Sequence, residues 1–238
     1  MHSKGLASSR GFRAGWCYAS DVELSRAAIS ACLTEFGIEL PDYQLAQVLM
    51  YTELLLRWNR AINLTAVQGF EDIIRRHFVE SIYLTRFVRL AGQLLDVGSG
   101  AGFPGLALKI AVPELSVVLL EPVAKKRAFL KEVVRECGLG EVEVCGTRVE
   151  DFCVSHEHQF NSATLRAVGH YDTVLPSTAR CLANFGSVYL WLTRAEASKL
   201  TAQEVAFGQL FAWLKPIAIP LSRDREIWCG TAKRAGVG

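Results

Sequence analysis

The sequence predicts an α/β protein: an open, mainly parallel sheet covered on both faces, preceded by a helical extension and closed by an antiparallel hairpin. Three observations carry this. From Gln93 onward, short apolar runs alternate with helical patterns, and repeated βα units demand parallel strands with helices across them. The stretch from Leu94 to Gly105 reads as a buried strand, a glycine-rich turn and a helix start. The chain before Gly92 carries apolar residues at helical rather than strand spacing.

The elements follow in order. Residues 1–20 are polar and rich in glycine and serine, lack the apolar core of a signal peptide, and are expected to be a disordered tail. A first helix is predicted from Asp21 to Phe36, with Gly37 as its stop. A second begins near Pro41-Asp42 and runs to Trp58. A third runs from about Phe70 to Val88, with Ile73, Ile74, Phe78, Ile82 and Leu84 on its buried side. Residues 21–91 thus form a helical extension packed on a core of 92–238, one structural domain overall. Strands are predicted at 93–97, 115–121, 141–145, near 160–166 and at 186–193. Helices are predicted at 103–112, 123–138, near 170–184 and near 194–208. Two β-rich stretches, Phe211 to Pro220 and Glu226 to Thr231, are joined by a short connection and read as an antiparallel hairpin at the sheet edge.

Composition narrows the function classes. A chain of 238 residues holds one sizeable core plus an extension. No apolar run approaches the ~20 residues of a membrane span. The seven cysteines are scattered and never in C-x-x-C pairs, which argues against a zinc site and against a disulfide framework. They suit a cytoplasmic protein without metal, expected to act as a monomer. A net charge of +2 means that any nucleic-acid surface must be a local patch.

The candidate chemistry starts at the glycine turn. Gly98, Gly100 and Gly102 permit positive φ and let a ligand approach the backbone. Gly100 to Gly105 also matches the dinucleotide fingerprint G-x-G-x-x-G. Asp96 weighs against that ligand, because an acid at the strand tip repels a pyrophosphate. It suits the cationic, amine-bearing end of S-adenosylmethionine, and the pattern resembles motif I of class I methyltransferases. Glu121 ends the second strand, where an acid can accept both hydroxyls of a ribose. In the loop after the third strand, Val149 and Glu150 are placed to hold an adenine edge. Strand 4 ends Leu165-Arg166-Ala167 and carries none of the Asp- or Asn-Pro-Pro-aromatic pattern of exocyclic-amine methylation. Arg166 is the candidate catalytic residue, as an orienter rather than a base.

Two basic clusters remain. Arg57, Arg60, Arg75, Arg76 and His77 lie on the helical extension, and Lys125-Lys126-Arg127 opens the helix after strand 2. Arg57-Trp58-Asn59-Arg60 interleaves arginine with an aromatic, which suits RNA. Each cluster alone also reads as a solvated face, and His77 also reads as a structural hydrogen-bonder.

Three motifs in order, Arg57 to Val67 (RWNRAINLTAV), Ile74 to Ser81 (IRRHFVES) and Leu95 to Gly105 (LDVGSGAGFPG), resemble the bacterial small-subunit ribosomal RNA guanine-N7 methyltransferase family, RsmG or GidB. The resemblance spans residues 22 to 232 and is strongest from 50 to 150. It implies a class I, Rossmann-like seven-stranded sheet, S-adenosylmethionine as donor, and a guanine N7 in 16S rRNA, free or in the small ribosomal subunit, as acceptor. By position, Gly98, Phe103, Val149, Glu150 and Arg166 become cofactor-contacting residues beside Asp96, Gly100, Gly102 and Glu121. Arg57, Arg60, Arg76, His77, Lys125, Lys126 and Arg127 become the residues that meet RNA. The chain departs from the family pattern at Glu80-Ser81 (usually Asp-Ser), at Leu119 to Pro122 (usually Leu-Leu-Asp-Ser), at Leu165 (usually Ser) and at Thr193-Arg194 (usually Lys-Gly). The last falls where substrate is handled. A class I methyltransferase with another substrate and a non-catalytic, cofactor-binding assembly factor therefore stay open.

Overall fold

The computed structural model describes residues 19–201, 208–222 and 224–233. The tail expected over 1–20 lies outside them except at Ala19 and Ser20, where the first helix, α1 (Ala19–Thr34), has already begun. Gly37, at φ +65°, ends the turn after it. Helix α2 (Asp42–Asn59) starts directly after Pro41, whose backbone is extended and supplies the first turn with Asp42 near its positive end.

The third helix is not the single α-helix the spacing predicts. It consists of α3 (Phe70–Ile73), a π-helical turn (Ile74–Val79), α4 (Glu80–Ile82) and a 3₁₀ turn (Tyr83–Arg86). Every residue from Phe78 to Leu84 is buried, which no simple amphipathic stripe allows. The wider turn seats neighbouring apolar residues in the interior, and π turns recur at functional sites.

The sheet comprises β1 (Gln93–Val97), β2 (Ser116–Leu120), β3 (Val142–Cys145), β4 (Phe160–Arg166), β5 (Leu182–Thr193), β6 (Phe211–Trp213), β7 (Ile217–Ala218) and β8 (Arg225–Ala232). The strand order is β3-β2-β1-β4-β5-β8-β6, with β7 also pairing β8. The first five strands are parallel, and β8 runs antiparallel between β5 and β6. The expected hairpin is present with two differences. The stretch 211–220 breaks into two short strands around Lys215-Pro216, so the sheet has eight strands rather than seven. The later partner also lies inside the sheet and leaves β6 at the edge.

Helices α5 (Gly105–Ala111) and α6 (Ala124–Glu136) cover one face with α1, α2 and the 70–86 segment. Helices α7 (Val149–Phe152), α8 (Tyr171–Cys181) and α9 (Arg194–Thr201) cover the other. The helix expected near 194–208 is described only to Thr201 on its first part. Strand alternation sorts the side chains between the faces. Tyr189 and Trp191 join the core under the extension, while Val188, Leu190 and Leu192 join the opposite core. Because Ile29, Leu55 and Phe78 share one apolar cluster with Leu94, Leu106 and Phe129, the extension and the sheet are built on a common core.

Candidate functional site

The carboxyl ends of β1, β2, β3 and β4 meet at one edge of the sheet, where open α/β sheets bind their ligands. The turn after β1 is held in its shape from several directions. Gly98, Gly100 and Gly102 have φ of +70°, +56° and +87°, a region that strains any side chain. The Ser99 amide donates to the carbonyl of Leu120, and its hydroxyl donates to the carbonyl of Asp96. A Cβ on Gly102 would strike the Tyr51 hydroxyl, so that position has no room for a larger residue.

Tyr51, from α2, was not identifiable as a site residue from its helical spacing alone. Its hydroxyl donates to the carbonyl of Ala101, and its ring stacks on Phe103 with centroids 5.0 Å apart. His77 stacks on Phe103 at 4.7 Å, and Phe78 meets the same ring edge-on. Phe103 is therefore buried in an aromatic cluster that joins the glycine turn to the helical extension. His77 Nε2 pairs with Thr65 Oγ1 at 2.8 Å, and Nδ1 is buried without a partner. Burial, followed by the charges of Arg166, Arg225 and Arg76, lowers the imidazole to about 3. A histidine held neutral in this way is a packing and hydrogen-bonding group, not a proton carrier at neutral pH.

Asp96 is 1% exposed. Its Oδ1 accepts from Thr164 Oγ1 at 2.7 Å, a bond that the pairing of Asp96 with Thr164 across β1 and β4 makes inevitable. Oδ2 is buried without a geometrically formed hydrogen bond, and burial raises the carboxyl to about 6 against the opposing pull of Thr164, Ser99 and the Gly105 amide. Gly105 must be glycine beside it, since a Cβ there would lie 2.7 Å from Oδ2. Glu121 follows β2 and is also buried. Its Oε2 accepts from the Gly100 amide at 2.9 Å and its Oε1 from the Val123 amide at 2.8 Å. The acid thus ties the glycine turn to the start of α6.

A cleft of about 340 Å³ opens beside these groups, lined by Gly98, Pro122, Arg148, Val149, Glu150 and Val168, among others. The structure brings together here the sequence-predicted residues from three loops: the turn after β1, the turn after β2 and the start of α7. Asp96 lies behind the strand tip rather than on the cleft wall.

Arg166 occupies a different position from the lip expected of it. It faces the extension, 9% exposed, and its Nη2 donates to Glu80 Oε2 at 2.7 Å. It also donates to the carbonyl of Arg76 and to Ser81 Oγ. Burial raises the Glu80 carboxyl and lowers the Arg166 guanidinium, each partner offsetting part of the other's shift. Trp191 Nε1 donates to the Glu80 carbonyl at 2.7 Å, so one helical residue holds β4 and β5 together. Sequence reasoning passed over Glu80 as a family departure, although an acid in the middle of a wholly buried run demands a partner.

The expected RNA-facing residues divide. Arg60, Arg76 and Lys125 are exposed. Arg57 pairs with Glu132 of α6, which also accepts from Trp58 Nε1 at 2.7 Å. Arg127 donates from Nη1 to the carbonyls of Glu121 and Pro122. Arg57 and Arg127 are engaged with the protein and His77 is held neutral, the structural reading open to it in the sequence. Asn59 accounts for the motif's amide: it donates to the carbonyl of Thr65 and accepts from the amides of Leu64 and Thr65, closing the 60–65 loop.

A family model described as GidB, rRNA small subunit methyltransferase G, matches residues 44–210 and so includes both the cleft and the aromatic junction. The chain belongs to this family. A ribosomal RNA small subunit methyltransferase G of Geotalea uraniireducens is 33% identical over 207 residues, 85% of this chain and 94% of that one. One from Halorhodospira halophila is 39% identical over 165 residues, covering 69% and 77%. Among solved structures, a chain of Methanococcus maripaludis described as an S-adenosyl-L-methionine-dependent methyltransferase superposes with a TM-score of 0.56 at 11% identity, covering 79% of this chain and 94% of that one. The fold is class I methyltransferase. Among the described residues there is no helix long and apolar enough to cross a membrane and no cluster of metal-ligating side chains.

Proposed function

We propose that this protein transfers a methyl group from S-adenosylmethionine to N7 of a guanine in 16S ribosomal RNA. The observation that carries this reading is the family match over 44–210, laid on a cleft whose residues fit the donor. The fit rests on two features. Gly98 lines the cleft without a side chain, and Asp96, just behind the strand tip, holds a buried carboxylate oxygen without a hydrogen-bond partner whose negative charge favours a cationic amine. S-adenosylmethionine supplies an electrophilic methyl group when bound.

The chain's own residues then have limited but definite work. Gly98 borders the amino-acid end with the Asp96 charge behind it, Glu121 accepts ribose hydroxyls with its remaining lone pairs, and Val149 with Glu150 borders the base. Arg166 acts as a positioning residue, fixing the extension against β4. No general base is required, because guanine N7 attacks through an in-plane lone pair and loses no proton beforehand. This agrees with a site whose histidine is held neutral and whose arginine is pinned. Alignment and exclusion of water remain, effects worth ~7–11 kcal/mol when the geometry is right. Arg60, Arg76, Lys125 and Lys126 are the cations proposed to meet RNA, in the cytoplasm where that RNA is assembled.

The test is transfer of labelled methyl groups to 16S rRNA, and to small subunits, from cells lacking the enzyme, followed by nucleoside analysis. Label in 7-methylguanosine, lost in Gly98→Val, is the expected result. Donor binding without any transfer to either substrate would overturn catalysis in favour of a binding role.

A further inference from the structure

A second cleft, of about 420 Å³, lies between the 72–80 helical segment and the connection leading into β8. We propose that it is a phosphate site for the RNA backbone, with Arg76 and Arg225 as its donors. The proposal rests on the rRNA reading above and names where the strand is gripped.

Arg225 and Arg76 both line this cleft, and neither guanidinium is taken up by a hydrogen bond among the described residues. The Arg225 side chain is only 25% exposed, yet among the described residues its guanidinium makes no hydrogen bond. Its nearest acid is Glu80 Oε2 at 3.6 Å, beyond hydrogen-bond reach. That same oxygen is already engaged by Arg166 at 2.7 Å. Arg76 stands exposed on the same cleft, and its guanidinium has neither a hydrogen bond nor an ion pair among the described residues. Arg75 does not share this state, because Glu35 and Glu71 occupy it.

One guanidinium without a partner and a second held only by a long ion pair face the same cleft, and together they suit a ligand with several acceptor oxygens. A phosphate diester offers them in the geometry that arginine matches. The acids Asp72 and Asp224 also line the cleft, but both are exposed and solvated. Placement supports an RNA strand as the source. Arg225 pairs in register with Thr193 at the carboxyl end of β5, the sheet edge that also carries Gly98. Arg76 belongs to the π turn whose carbonyl Arg166 holds. A strand gripped here lies along the edge where the methyl donor is proposed to bind.

The experiment measures 16S rRNA affinity of the full chain across salt concentrations for the wild type, Arg76→Ala and Arg225→Gln, with steady-state methyl transfer alongside. Each replacement is expected to lower the slope of log affinity against log salt by about 0.7–0.9. Affinity should weaken on the order of tenfold. KM for RNA should rise with kcat and donor affinity kept. Arg76 is exposed, so its variant decides the matter even if Arg225→Gln fails to fold. Inorganic phosphate, titrated calorimetrically, is the second probe. Phosphate binding lost together with the RNA slope supports the site. Phosphate binding lost with an unchanged RNA slope assigns the cleft to free phosphate and overturns the proposal, as do slopes unchanged throughout. Failure of the methyltransferase reading is a separate result, since it appears as a wild type that methylates no RNA.

Discussion

Asp96 carries two demands that pull in opposite directions. A buried carboxylate with one bare oxygen suits an incoming cation, but it costs the empty protein stability. Its carboxyl sits at about 6 in the fold against an ordinary 3.8, so protonation favours the folded state. That stabilisation is complete below the unfolded value and is lost as pH rises through 6. Asp96→Asn keeps the Oδ1 acceptor for Thr164 and cannot ionise. Its melting temperature relative to wild type should therefore rise between pH 4 and pH 8, by the equivalent of on the order of 2 kcal/mol. Affinity for S-adenosylmethionine should meanwhile fall at least tenfold, read by calorimetry at pH 8. His77 works with the other sign. With the imidazole lowered to about 3, its contribution is full above the unfolded value near 6.5 and is lost as pH falls toward 3. Its ring proton resonances should stay fixed from pH 5 to pH 9, and the pH profile of methyl transfer should carry no step from it. A His77 resonance titrating near 6.5 would show that the stacked, desolvated position is wrong.

The π turn and its neighbours show what an element can hide from a periodic reading. Strands at 93–97 and 160–166 were legible to the residue, because runs such as Leu94-Leu95 and Ala163-Thr164-Leu165 sit between clear breakers. The segment 70–86 was legible as helical but not as broken. Its departure arises from packing seven consecutive residues inside the core, a tertiary demand without a spacing signature. The same holds within the site. Gly98 and Glu121 declare themselves by strand-end position, whereas the Tyr51–Phe103–His77 stack joins three elements distant in sequence. The Glu80–Arg166 pair belongs to this scale, since it fastens α4 to β4. Either partner left alone is a buried, uncompensated charge. Glu80→Leu and Arg166→Met should each cost ~3–5 kcal/mol, and the double variant should be more stable than either. Urea unfolding of the four proteins in the cycle measures it. Additive losses would mean that the pair is not the fastening.

At the scale of the molecule, extension and sheet are joined by aromatic contact, by ion pairs and by a shared core. The proposed RNA grip and the donor cleft thus sit on elements that share one apolar cluster. β5 is 12 residues long and, among the described residues, pairs along its outer side with β8, whose first residue Arg225 lies opposite Thr193. The partner is 32 positions further along the chain. On a translating ribosome, at ~5–20 residues per second, the newest strand therefore waits roughly 2–6 s with a bare row of amides and carbonyls. A nascent chain halted after Asp224 should accordingly aggregate, while release of a few more residues should render it soluble. Sedimentation of arrested chains of graded length would locate that transition. The maker of this protein and the particle it is proposed to modify are the same machine, and the enzyme's most vulnerable interval is spent in contact with it.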